Sequence, residues 1–175
     1  MARISLIEPD QHPELEPIIA KIRSGRRGSV INVYKLLLHT PAIAEIWLDL
    51  INAVRWKVDL DSRLREIVII RIGYLNGCSY VVNQHVPVHS APAGLTQAEC
   101  DALADWRSTS LFSTRERAAL AFTDASTRDI EVPEAALEAL RQHFNERQIV
   151  ELTVLVGTYN MHTRMCQALK IDPQK

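Results

Sequence analysis

The sequence predicts an all-α domain. Apolar residues recur at helical spacing along nearly the whole chain, no stretch shows the strict alternation of a half-buried strand, and helix-start signals are frequent. Helices are expected at about 13–23, 28–38, 41–56, 62–75, 78–90, 96–105, 114–127, 134–144 and 146–169, with some of the short ones merging. The first two rest on periodicity alone. Thr40-Pro41 starts the third, with a hydroxyl at the cap and a proline at the first helical position. Asp61 is placed to cap the fourth, and Asn76-Gly77 to end it, because this pair readily adopts a left-handed terminus. Cys78 then falls in the first turn of the fifth, which Pro87 kinks or ends. After the connecting loop Ser90 to Leu95 comes the sixth. Ser113-Thr-Arg-Glu116 reads as a capping box for the seventh, Pro133 opens the eighth, and Asn145 caps the long ninth. A weak echo links Asp61-x-Arg63…Gly73-x-x-Asn76 with Asn145-x-Arg147…Gly157-x-x-Asn160, hinting at a duplicated helix pair.

A chain of 175 residues, 47% of them hydrophobic, suits a single domain spanning 1–175 with a substantial core. A net charge of −1 gives no basic field for nucleic acid or anionic lipid. The opening MARISLIEPDQHPELEP has no continuous apolar stretch of the kind a secretory signal needs, and no run is long enough to span a bilayer. Three widely spaced cysteines, Cys78, Cys100 and Cys166, fit a reducing cytoplasm better than a disulfide framework.

Chemistry concentrates in the core motif at 61–91, above all in Glu66 to His89, EIVIIRIGYLNGCSYVVNQHVPVH. Two antiparallel helices joined at Asn76-Gly77 bring Glu66, Cys78 and His85 near one another. Cys78 near a helix start has its thiolate favoured by the dipole and by free N–H groups. His85 and His89 lie further along the same face. Glu66 opens an apolar run, so its carboxyl is expected to titrate high unless paired. Arg71, with Tyr74 one turn away, needs a carboxylate from the protein or from a ligand. Blander readings stand beside these. Cys78 is then a small hydrophobe, Glu66 pairs with Arg63 or Arg71, and His85 is a hydrogen-bonded core residue. Cys100 and Cys166 read as core, and His39, His143 and His162 as surface or helix-end residues. His85 and His89 have ligand spacing, but Pro87 intervenes and no third ligand is evident, so no metal is expected.

Arg65-Glu66-Ile-Val-Ile-Ile-Arg71, Asn76-Gly77-Cys78-Ser-Tyr80 and Gln84-His85-Val-Pro87 resemble the carboxymuconolactone decarboxylase / alkylhydroperoxidase D family. The likeness extends from Pro41–Trp56 to Phe112–Leu169, about four-fifths of the chain. It implies a multi-helix bundle assembled as a homotrimer, homohexamer or related oligomer, with sites near subunit contacts. In the peroxidase branch the motif holds two cysteines in C-x-x-C, and the second is expected to meet peroxide. Here Val81 stands in its place, and Tyr80 replaces the histidine before it. A lone Cys78 has no local thiol to resolve a sulfenic acid. The decarboxylase branch uses acid–base residues in the same cavity and no cofactor.

The resemblance therefore implies a cofactor-independent lyase or isomerase for a small unsaturated carboxylate or lactone. In it Glu66 and His85 move protons, Cys78 lines the cavity and assists, Tyr80 hydrogen-bonds a developing oxyanion, and Arg71 or another arginine anchors the carboxylate, with Tyr74 and His89 as further substrate-binding residues. The alternatives are a single-thiol antioxidant protein using Cys78 and a non-catalytic oligomeric binder. Peroxide-dependent turnover that consumes the thiol marks the first; ligand binding without any activity marks the second.

Overall fold

The computed structural model describes residues 2–26 and 28–173; residues 1, 27, 174 and 175, at the edges of the single-domain expectation or beside its second helix, lie outside the described residues. Among the described residues the structure is helical throughout, with no strand. Two short 3₁₀ turns at Pro9–Gln11 and Pro13–Leu15 lead into α1 (Glu16–Gly25), followed by α2 (Asn32–Leu37), α3 (Pro41–Trp56), α4 (Ser62–Leu75) and α5 (Ser79–His85). A π-helical segment, Val86–Ser90, continues α5. Then come α6 (Gln97–Ala102), α7 (Thr114–Arg128), α8 (Glu134–Arg141) and α9 (Glu146–Leu169).

The helix starts follow local chemistry. Asp61 accepts a hydrogen bond from the Leu64 N–H at 2.8 Å. Ser113 with Glu116, and Asn145 with Gln148, close reciprocal capping boxes over α7 and α9. Four expectations shift. Thr40 makes no side-chain cap bond, so Pro41 alone sets the start of α3. The second helix begins at Asn32 rather than 28, because Gly28 takes a left-handed turn (φ +83°) before the chain extends. Cys78 is the cap of α5, one residue ahead of its first turn, because Gly77 (φ +61°) reverses the chain directly before it. Pro87 neither kinks nor ends the helix in the ordinary way. It sits inside the π segment, whose wider turn dispenses with the N–H that proline lacks, and the Ser90 hydroxyl donates to the Val86 carbonyl at 2.5 Å.

α4 is the axle of the molecule, buried on almost every side from Glu66 to Gly73 and packed against α5, α7 and α9. Val68, Ile69 and Ile72 face the larger apolar core. Ile67 and Ile70 face a second cluster under Leu103, Trp106 and Phe112. Each such side chain contributes about 2 kcal/mol by leaving water. α4 and α5 pack tightly at Gly73, where a Cβ would stand 2.9 Å from a Val82 methyl. The echo between the two helix pairs has a structural counterpart: α4 and α9 start 84 residues apart, and the matched Asn76 and Asn160 hydrogen-bond to each other at 2.9 Å. Thr163 and Gln167 bind the same corner, Thr163 through the Asn76 amide and Gln167 through the Gly77 carbonyl.

Candidate active site

The turn at Asn76-Gly77 lays α5 back along α4 and sets His85 opposite Glu66. Glu66 Oε2 and His85 Nδ1 are 2.6 Å apart, with both residues buried. A carboxylate only accepts, so His85 donates from Nδ1 and its Nε2 keeps a lone pair. From the end of α3, Arg55 donates to Glu66 Oε1 at 3.1 Å, while its guanidinium lies over the Trp56 ring at 4.6 Å. Burial on its own would raise the Glu66 pKa. His85 and Arg55 outweigh it, and the carboxyl is held down to about 2. The expected high-titrating acid is therefore absent, because Glu66 is paired. Burial pushes the His85 imidazole below its usual 6.5, against the pull of Glu66. At neutral pH the dyad is carboxylate and neutral imidazole, the form that accepts a proton at Nε2.

The dyad opens onto a cavity of about 200 Å³. Its polar wall comes from elements distant in sequence: Arg26 at the end of α1, Tyr34 on α2, Arg55 on α3, and Tyr159 and His162 on α9. Arg26 donates twice to the Tyr34 hydroxyl, at 3.1 and 2.7 Å, leaving that O–H free to donate onward. Tyr159 meets the His85 ring edge-on at 5.6 Å, and the His89 ring lies 5.1 Å from His85.

Of the residues singled out from the sequence, Tyr80, His85 and His89 reach this space, and Glu66 stands behind its wall, bonded to His85 and Arg55. Tyr80 and His89 line it. The Tyr80 hydroxyl accepts from the Val33 N–H at 3.1 Å, and burial raises its pKa. Arg71 does not reach the cavity. It grips Asp124 through Nε and Nη2 at 2.7 and 2.9 Å and the carbonyls of Leu103 and Ala104 through Nη1, so the carboxylate it needs is the protein's own. Tyr74 lines a separate surface recess beside Pro87 and Asp101. Cys78 is fully buried and is not part of the cavity wall. Its neighbour is Cys166 of α9, so a second thiol stands beside it although position 81 is valine. Hydrogen bonding from Cys166 does most to lower the Cys78 pKa, to about 7; burial opposes, and the N–H groups of Val81 and Tyr80 assist. The Cys166 thiol is raised correspondingly, first by that bond and then by burial. His162, read as a surface or helix-end residue, is buried. Among the described residues no group of three or more His, Cys, Asp and Glu is placed to hold a metal ion.

The model of the carboxymuconolactone decarboxylase family matches residues 41–125, the stretch that holds α3, α4, α5 and the complete Arg55–Glu66–His85 arrangement. A protein of unknown function from Agrobacterium tumefaciens, grouped with the antioxidant-defence protein AhpD, superposes with a TM-score of 0.75 at 28% identity, over 79% of this chain and 94% of that one. The chain belongs to the carboxymuconolactone decarboxylase and AhpD-like family. An uncharacterized peroxidase-related protein from Silicibacter sp. TM1040 matches with a TM-score of 0.83 at 25% identity, over 98% and 91% of the two chains. The uncharacterized protein YnjA of Escherichia coli is 32% identical over 124 residues, 69% of this chain and 66% of its own. Position 81, where the resemblance implies a second cysteine, is valine within the matched stretch 41–125.

Proposed function

We propose that this protein is a cofactor-independent lyase or isomerase that moves a proton on a small unsaturated carboxylate or lactone. The observation that carries the reading is the 2.6 Å contact between Glu66 and His85 at the wall of a cavity that also holds two arginines. His85 Nε2 takes a proton from carbon next to the substrate carbonyl. Glu66 holds the ring in the required tautomer and stabilises the imidazolium that forms. The electron pair moves onto the carbonyl oxygen, where the Tyr34 hydroxyl donates to it. Arg26 and Arg55 hold the carboxylate, the role the sequence left to Arg71 or another arginine. His85 returns the proton at the new position, completing an isomerisation. In the lyase case the breaking C–CO₂ bond, in place of a C–H bond, sends its electron pair onto the carbonyl oxygen, and the carbon left by CO₂ takes a proton from water relayed through His85 Nε2. The test is a panel of small unsaturated acids and lactones followed by ultraviolet absorbance. Turnover by the wild-type protein that is lost in His85→Asn supports the reading. Turnover unaffected by that change would refute it.

A second reading, thiol-based antioxidant chemistry, is favoured by the lowered Cys78 thiol beside Cys166. The reason to expect little of it is access: Cys78 is 0% and Cys166 1% exposed. With a hydroperoxide and dithiothreitol, wild-type turnover is expected near background. Robust peroxide consumption that disappears in Cys78→Ser would replace the lyase reading with this one.

A further inference from the structure

We propose that His162 contacts the bound substrate as a neutral hydrogen-bond donor, offering Nε2–H to a carbonyl oxygen, so that the cavity selects carboxylates bearing a second, uncharged carbonyl. This rests on the reading of the cavity as a carboxylate site and names the substrate class more narrowly.

His162 lies on α9, is 9% exposed, and lines the cavity. Its ring is held by Trp47 and Tyr159, each with ring centroids 5.7 Å away. Nδ1 is buried and has no hydrogen-bond partner. A neutral imidazole has a single N–H. An orphaned buried N–H is among the rarest features of folded proteins, whereas an under-used acceptor is tolerated more often. The proton is therefore assigned to Nε2, the ring's remaining polar atom and the one it has to offer to the cavity. The ring does not charge to help itself. Burial first, and then His85, Arg26 and Arg55, hold its pKa down to about 3.

His162 thus differs in kind from the groups around it. Arg26 and Arg55 supply positive charge and answer a carboxylate. The Glu66–His85 dyad moves protons. His162 supplies a donor without charge, suited to the carbonyl of a keto acid or a lactone acid. A simple carboxylate would leave it unsatisfied, and an unpaired polar group in a site discriminates between analogues more strongly than a missing methylene does.

Levulinate and pentanoate form a suitable probe pair. They share a chain length and a carboxylate, and only levulinate has the ketone. Their binding is followed by NMR titration of the full-length protein. Levulinate is expected to bind about five- to tenfold more tightly, the worth of one hydrogen bond. His162→Phe is expected to equalise the two at the pentanoate level, and His162→Gln, which keeps an N–H, to restore part of the preference. Long-range proton–nitrogen spectra of the wild type are expected to show the Nε2–H tautomer, with that signal shifting on addition of levulinate and not of pentanoate. Equal binding of both probes by the wild type, or an Nδ1–H tautomer, would overturn the role of His162 and leave the carboxylate site standing. Failure of both probes to bind at millimolar concentration would overturn the carboxylate reading and this inference with it.

Discussion

Glu66→Gln is expected to abolish turnover and to lower the unfolding free energy by about 3–5 kcal/mol, the usual cost of removing one partner from a buried ion pair. The size of the effect comes from Arg55. Its guanidinium is buried, and Glu66 is the carboxylate it meets there, so glutamine leaves a positive charge in the core with no counter-charge. His85→Asn separates chemistry from stability. It removes the proton acceptor but leaves Arg55 paired with Glu66, so it should cost about 1 kcal/mol while eliminating activity. Denaturant titration of both variants, beside the activity assay, checks the pair. A Glu66→Gln protein as stable as the wild type would show that Arg55 finds another partner. The same group sets the acid limit of the fold. The unfolded chain takes up its proton near 4.5, while the folded chain resists to about 2, so stability present above 4.5 is lost as pH falls through that interval. His85 is depressed below 6.5 for a different reason, but its sign is the same: the unfolded imidazole charges first. Unfolding free energy should therefore begin to fall below about pH 6.5 and fall further below 4.5.

The second large effect is expected far from the cavity. Asp124 receives Arg71, Arg107 and the Trp106 indole N–H, and holds α7 against α4 and the turn after α6. Asp124→Ala strands the Arg71 guanidinium, which is 4% exposed, and about 3–5 kcal/mol of stability should be lost, with cooperative unfolding moved to markedly lower denaturant. Double replacement with Arg71→Leu should recover part of that loss, since the unpaired charge goes with it. A single variant that melts with the wild type would contradict the assignment of Arg71 to structure.

What the sequence disclosed depended on distance along the chain. Asp61, Ser113 with Glu116, and Asn145 act on N–H groups three residues away, so their caps were legible before any packing was known. Glu66 and His85 were legible as neighbours because one tight turn joins their helices. Arg26, Tyr34, Arg55 and His162 reach the cavity from four other helices or their ends, and nothing local announces such a meeting. A trace was nonetheless present. Arg55 falls on the buried stripe Ala44, Leu48, Ile51 of α3, and His162 on the stripe Leu155, Tyr159, Cys166 of α9. A polar residue in phase with an apolar stripe asks for a partner or a ligand. Arg71 raised that question too, and the answer was Asp124. Val81 pointed away from a thiol pair, yet Cys166 sits beside Cys78, because a long helix crosses the very corner where Gln167 binds Gly77.

Gly73 gives the site a mechanical tolerance. A hydrogen bond of 2.6 Å weakens steeply when stretched by a fraction of an ångström. A methyl group on residue 73 would need about half an ångström of extra clearance from Val82, and α5 is the element that would yield. His85 rides on α5 and Glu66 on α4. The absence of a side chain seven residues from the glutamate therefore acts as the gauge that sets the gap across which the proton-handling groups meet. Cavity walls can be exchanged to suit different small acids without resetting that gap. Position 73 has no such freedom, although it never faces the substrate.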